Sequence, residues 1–212
     1  DRPSTLLAQV DSSIGGKTGI NNKFGKNLVG SFYQPDLVIS DINLLYSLPK
    51  REIICGYAEI LKSSLIDNKK KFMFLDKNFK KIFSLKENYI IRAILNSCLL
   101  KIKIIEKDEK EKNLRKSLNL GHTFAHAYEA TLKYSKKLNH GEAVIFGLIN
   151  AVNFSKEKKI ISSINSDLIN KHINKIEIKN KYQDLFNERK ISSILNFMKS
   201  DKKNQSESIN LI

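Results

Sequence analysis

The sequence has few of the residues that mark several common protein classes. Only two cysteines occur in 212 residues, Cys55 and Cys98, far apart and each in an apolar stretch. That excludes a disulfide framework or a C-x-x-C metal site and predicts reduced, buried thiols of a cytosolic protein. No apolar run approaches the ~20 residues of a membrane span, and the opening DRPSTLLAQV has no positively charged leader ahead of an apolar core. A soluble, cytoplasmic protein with no membrane partner is expected. Glycine is also sparse where nucleotide loops need it. In "DSSIGGKTGINNKFGKN" (residues 11–27) a Walker loop would require glycine five positions before Gly16-Lys17, and Asp11 stands there. A carboxylate at that point repels phosphate, and no apolar strand leads into it. None of the nine glycines forms G-x-G-x-x-G. There is no initiator methionine, and the immediate Pro3-Ser4-Thr5 start predicts a fragment.

What is present is a globular composition: 41% hydrophobic residues in a chain long enough for one large or two small domains. The net charge of +15 admits nucleic acid, anionic membranes or acidic substrates. The lysines are spread along helices among many Asn and Ile residues, however, a pattern that an A/T-rich genome also explains. Lys17 and Lys26, on a turn-rich stretch with Asn21, Asn22, Gly25 and Asn27, suit an anionic small molecule.

Residues 1–36 read as a loop-rich lead-in, followed by a short strand at Leu37–Ser40 ending at Asp41. Helical period dominates thereafter. Ser47 is expected to cap a helix whose first turn holds Pro49 and whose stripe is Ile53, Ile54, Tyr57, Ile60, Leu61 and Leu65. Glu59 and Lys62 fall on one face of it. A long helix from about Glu87 to Glu106 carries Ile90, Ile91, Ile94, Leu95, Leu99 and Ile102 and presents Lys101. Helices 122–134 and 142–156 follow Gly121 and Gly141, and lysine- and asparagine-rich helices continue from Glu157.

Three of the four histidines lie between 122 and 140. His122 and His126, four apart in "LGHTFAHAYE", project from one helix face, and His140 stands at the start of the next helix in "LNHGEAV". With a carboxylate they make a zinc site with an open position; without one they line a polar seam between helices. H-E-x-x-H is absent. Arg115 and Asn119 lie just upstream; an arginine fork suits a carboxylate or phosphate, though a lone arginine is more often in a surface ion pair. Glu142 is expected to cap its helix.

"STLLAQVDSSIGGKTGINNKFGKN", "FYQPDLVISD", "LPKREIICGYAEILK", "LRKSLNLGHTFAHAYE" and "LNHGEAV", in this order and at these separations, closely resemble the 3-dehydroquinate synthase family of sugar phosphate cyclases, strongly over residues 3 to about 156. The resemblance implies one zinc (or cobalt) ion held by Glu59, His122 and His140. It implies that Asp11, Lys17, Asn27, Lys62, Lys101, Arg115, Asn119 and His126 surround the substrate, with His126 at the phosphate pole rather than on the metal. Ser4, Thr5, Lys17, Lys26 and the segment Leu44, Leu45, Tyr46 and Ser47 match positions that touch NAD. One lysine of Asp201-Lys202-Lys203 matches a phosphate contact.

The implied reaction converts 3-deoxy-D-arabino-heptulosonate 7-phosphate to 3-dehydroquinate and phosphate: transient oxidation by NAD, phosphate elimination, re-reduction and aldol closure. The implied fold is mainly α: residues 49–212 form the helical metal- and substrate-binding domain of a two-domain α/β + α enzyme. Residues 1–48 are a strand-and-loop remnant of the NAD-binding domain. The rest of that domain is missing, so the fragment is expected to be inactive alone, and the enzyme to be a homodimer. One rival is another cyclase of the superfamily, which needs no carboxylate-binding Arg115. The other is a basic nucleic-acid-binding module, against which stands the absence of aromatics interleaved with a basic stripe.

Overall fold

The computed structural model describes residues 1–22, 25–200 and 211. Asp201, Lys202 and Lys203 lie outside the described residues, as do the side chains of Lys26 and Asn27. The chain divides into two compact units, Asp1–Leu118 and Asn119–Ile212, and both are mainly helical.

The lead-in of the first unit is more ordered than a loop. Residues 6–12 coil into a helical turn whose end is wide: the Ser13 N–H bonds the Ala8 carbonyl, five residues back, at 3.1 Å. The Gly-rich stretch then enters a hairpin, β1 (Ile20–Asn22) against β2 (Gly25–Val29), with a bridge from Lys17 to Phe32 below it. Gly16-Lys17-Thr18 therefore lies on a hairpin arm, not at a helix N-terminus. Leu37–Ser40 is extended but not a strand. Among the described residues its backbone pairs with the first residue, through Asp1 N to Leu37 O (2.7 Å) and Ile39 N to Asp1 O (3.0 Å).

Ser47 does not cap the helix after it. Its hydroxyl donates to Leu44 O at 2.9 Å and closes a 3₁₀ turn, Ile42–Ser47; Pro49 is the N-cap of α1 (Lys50–Asp67). Residues 53 to 64 of α1 are all buried, as expected of a helix at the centre of a unit rather than on its surface. Around it are α2 (Lys69–Lys77), α3 (Phe79–Phe83) and α4 (Glu87–Lys107). Tyr57 packs on Phe79 and Phe83, with ring centroids 5.7 and 4.6 Å away. The inward stripe of α4 differs from the expected one. Ile90, Ile94, Leu100, Ile104 and Ile105 are buried, whereas Leu95, Leu99 and Ile102 are exposed. The helix is apolar on more than one face, so period alone does not select the core side. Cys55 is buried and Cys98 only half-buried, and both are free thiols.

In the second unit, α5 (His122–Thr131) and α6 (His140–Glu157) cross in close contact. A Cβ on Gly147 would sit 2.2 Å from the Gly121 carbonyl oxygen, so the two backbones touch where only glycine fits. α5 ends at Thr131 rather than 134 because Lys133 and Tyr134 turn left-handed (φ 52° and 54°). α6 starts at His140, two residues earlier than expected. Asn139 and Glu142 form a reciprocal capping box, both bonds at 2.9 Å, which confirms the capping role of Glu142. Tyr128 packs on Tyr182 and Phe186, and its oxygen accepts from Asn150 at 2.7 Å. Burial, then the Tyr182 hydroxyl, push the Tyr128 phenol well above its ordinary value. Helices α7 (Ser163–Ile173), α8 (Tyr182–Leu185) and α9 (Glu188–Lys199) complete the unit.

Candidate functional site

In the first unit, charged side chains from four segments are drawn inward. On α1, Glu59 and Lys62 form an i,i+3 ion pair with both side chains almost wholly buried. Removing two charges from water is costly, and a pair kept in a core has its stability supplied by neighbours and points to a role beyond packing. On α4, the Lys101 ammonium donates to the Asp11 carboxylate and to the Asp11 carbonyl, both at 2.5 Å. The helical turn carrying Asp11 is thus tied to α4 at a site where both residues were expected to meet substrate.

Arg115 is buried, only 3% exposed, not a surface ion-pair residue. It lies in the 3₁₀ turn Leu114–Asn119, and its guanidinium donates to Gly15 O (2.9 Å) and Glu109 O (2.5 Å). The approach requires glycine: Gly15 has φ +103°, and a Cβ there would lie 2.6 Å from Nη2 of Arg115. The turn itself is organised by Asp108, whose carboxylate accepts the backbone N–H groups of Arg115, Lys112 and Asn113 at 2.7–2.9 Å. Those bonds, the one from Arg115 foremost, hold the Asp108 carboxyl below its ordinary value. Lys17 makes an ion pair with Glu111 at the surface, and Gln34 donates to Glu109 at 3.0 Å. A cleft of about 310 Å³ opens beside Gly15, between Gln34 and the α4 residues Ile102, Ile105 and Glu106.

Among the positions matched to NAD contacts, Thr5 accepts the Ala8 N–H at 3.1 Å and Ser4 is exposed. Leu44 and Tyr46 are exposed, while the Leu45 side chain is buried in the unit's core.

The second unit gathers the histidines. The His122 ring lies 5.3 Å from that of His126 and 5.5 Å from that of His140. Nδ1 of His122 is 3.3 Å from Leu120 O. A carbonyl only accepts, so a hydrogen bond here has Nδ1 of His122 as the donor. Nδ1 of His140 is 3.4 Å from Oε1 of Glu129, a buried carboxylate that the histidine spacing does not reveal. Its position was readable in principle: Glu129 is seven residues from His122 and three from His126, on the same face of α5. The donors suited to a divalent cation are Glu59 in the first unit and His122 and His140 in the second. Two imidazoles and one carboxylate are the donor types that a catalytic zinc or cobalt ion takes, so the chemistry of these residues fits such an ion. Asn119 is half-buried at the start of this unit.

Mainly helical architecture and a histidine–carboxylate donor set define a class, and solved structures agree. A 2-deoxy-scyllo-inosose synthase complexed with carbaglucose-6-phosphate, NAD+ and Co2+ superposes with a TM-score of 0.80 at 27% identity, over 98% of this chain and 55% of the other. A 2-epi-5-epi-valiolone synthase from Streptomyces hygroscopicus shares the fold (TM-score 0.76, 21% identity, 93% and 55% covered). The fold is that of the sugar phosphate cyclases. Within that class, the family model for the 3-dehydroquinate synthase N-terminal region matches residues 1–55, and the C-terminal one matches residues 56–204. The 3-dehydroquinate synthase of Pelagibacter ubique is 58% identical over 99% of this chain, and that of Bartonella bacilliformis 45% over 95%. The chain belongs to the 3-dehydroquinate synthase family. It spans 57% and 54% of the lengths of those two relatives.

Proposed function

We propose that the protein containing this chain is a 3-dehydroquinate synthase, a carbon–oxygen lyase that converts 3-deoxy-D-arabino-heptulosonate 7-phosphate to 3-dehydroquinate and phosphate. The observation that carries this reading is the identity to curated 3-dehydroquinate synthases, about twice that to the inosose synthase and spread over nearly the whole chain.

Glu59, His122 and His140 hold one divalent ion, zinc or cobalt, and NAD is the second cofactor; the support is the chemistry of the donor set and the NAD+ and Co2+ named for the related inosose synthase. The metal supplies a Lewis acid for substrate hydroxyls, and NAD a reversible hydride acceptor. The chain's own residues do the rest. Arg115 and Lys101 offer fixed positive charge to the carboxylate and phosphate; binding exchanges the carbonyls of Gly15 and Glu109, and the Asp11 carboxylate, for substrate oxygens. Charge already positioned in a site sheltered from water needs no reorganisation as the phosphate departs. Lys62 pairs with Glu59 and keeps it in place, while Asn119, Asn27, Lys17 and His126 complete the substrate's polar surroundings, His126 at the phosphate. Ser4, Thr5, Lys17, Lys26 and residues 44–47 contact NAD.

Residues 1–48 belong to the NAD-binding part and 49–212 form the metal- and substrate-binding domain; the family models meet seven residues later, at 55 and 56, and the compact units at 118 and 119. By itself this chain is inactive. The full-length enzyme works in the cytoplasm as a homodimer; among the described residues no helix is long and apolar enough to cross a membrane, and Leu95 and Leu99 are exposed.

The test is turnover of the heptulosonate phosphate by the full-length protein. Arg115→Ala should lower it by on the order of a hundredfold or more, the scale for losing a positioned charge. Removing metal by chelation should abolish turnover, and zinc or cobalt should restore it. Equal turnover by Arg115→Ala, or no turnover by the wild type with both cofactors present, would overturn the reading.

A further inference from the structure

Gln9, on the helical turn of the first unit, is a polar side chain with no exposed surface (0%). Its Nε2 donates to Asp41 O at 2.9 Å and to Pro3 O at 3.4 Å. Carbonyls only accept, so the end of the amide that faces both is its NH2 group, whose two protons serve the two oxygens. The Gln9 main chain is anchored as well: its N–H bonds Thr5 O at 3.0 Å, and its carbonyl accepts the Cys98 thiol of α4 at 3.4 Å. Pro3 leads into Ser4 and Thr5. Asp41 leads into the 3₁₀ turn Ile42–Ser47 and caps it, its carboxylate accepting the Asn43 N–H at 2.9 Å. One buried amide therefore ties the base of one segment to the base of the other. The Gln9 Oε1 is buried with no hydrogen-bond partner among the described residues, a cost that an apolar side chain of similar size would not carry.

We propose that Gln9 is a positioning residue for NAD, resting on the reading above that Ser4, Thr5 and residues 44–47 contact the cofactor. Ser4, Leu44, Tyr46 and Ser47 are exposed and offer hydroxyls and apolar surface, which suit the ribose hydroxyls and flat rings of a dinucleotide. They lie on two separate segments, so a ligand that spans both is held well only if their spacing is fixed before it arrives. Gln9 fixes that spacing from below without touching the cofactor. The bonds of Asp1 with Leu37 and Ile39 join the same two stretches of chain nearer the surface. Gln9 is the buried member of this set, sheltered from competing water.

The experiment measures NAD affinity of the full-length protein by calorimetry, Zn2+ affinity by chelator competition, and amide exchange with and without NAD. Gln9→Met keeps the length of the side chain but has no donor, and should weaken NAD binding by about tenfold, the scale for stranding buried carbonyls that a ligand site depends on. Zn2+ affinity should stay within about twofold of wild type, a split that general loosening of the fold would not give. Gln9→Asn keeps the amide but is one methylene too short to reach both carbonyls, and should weaken NAD binding by roughly three- to tenfold; if Gln9→Met does not fold, this variant decides. In the wild type, NAD should slow exchange at residues 4–8 and 43–47 together. Wild-type NAD affinity in the variants, or an equal loss of NAD and Zn2+ affinity, overturns the proposal. NAD binding by the wild type with no added protection at either segment overturns the assignment of the cofactor contacts instead.

Discussion

The Lys101 ammonium grips Asp11 twice, at its carboxylate and at its main-chain carbonyl, across 90 residues of sequence. This cation on α4 and the turn before the hairpin are thus one unit, and both residues match substrate contacts. Lys101→Met in the full-length enzyme should lower turnover by on the order of a hundredfold or more. Stability should fall by about 1 kcal/mol or less, because the Asp11 side chain is 35% exposed and water can take over its carboxylate. Steady-state rates and a thermal melt measure both. A variant that melts far lower yet turns over normally would make the contact purely structural.

Asp108 predicts an acid limit for the turn that presents Arg115. Its carboxyl is held below the ordinary 3.8, first by the Arg115 N–H. A depressed folded value means that the group stabilises the turn above the unfolded value, and that this contribution is lost as pH falls through the folded one. Amide exchange protection at Lys112, Asn113 and Arg115 should thus be constant above about pH 5 and collapse below about pH 4. Asp108→Asn should show the collapsed protection at neutral pH, with a weaker response in the α4 amides.

How much of this was legible beforehand depends on range. The His122–His126 spacing, the Glu59–Lys62 face and the capping role of Glu142 are decided within one or two helical turns, and all three hold. Leu37–Ser40 has strand composition, but among the described residues its backbone bonds are to Asp1 and form no ladder, which composition cannot supply. Leu95, Leu99 and Ile102 carry the same period as Ile90 and Ile94; which apolar face of α4 turns inward is set by the packing of α1. The burial of Arg115 depends on Gly15, 100 residues earlier. Local patterns named the chemistry, while tertiary contacts decided which charges face one another.

Gly147 tests whether backbone contact builds the histidine cluster. A methyl there would lie 2.2 Å from the Gly121 oxygen, with no flexible side chain to yield. Gly147→Ala should cost about 3 kcal/mol, the upper part of the overpacking range. For a unit in a chain of this size that is a melting temperature lower by roughly 6–12 °C. If α5 and α6 separate to relieve the clash, metal affinity should fall with the melting temperature. A melting curve that matches the wild type would show that the two helices are not held as closely as described.

Cys98 gives a chemical readout of the Lys101–Asp11 contact. Burial raises its thiol to about 11, while the Lys101 ammonium pulls the other way. Only the thiolate reacts with iodoacetamide, and at pH 8 a thiol of that acidity is ionised to about one part in a thousand. The alkylation rate of Cys98, followed by peptide mass spectrometry on the full-length protein, should rise about tenfold per pH unit from 8 to 10 and level off near 11. Lys101→Met removes the cation that favours the thiolate, so at any given pH in that range alkylation should be slower than in the wild type, despite the wider access left by a shorter side chain. Bound substrate that draws Lys101 toward its anionic groups should slow the reaction in the same direction. Faster alkylation in Lys101→Met would mean that access, not charge, controls this thiol.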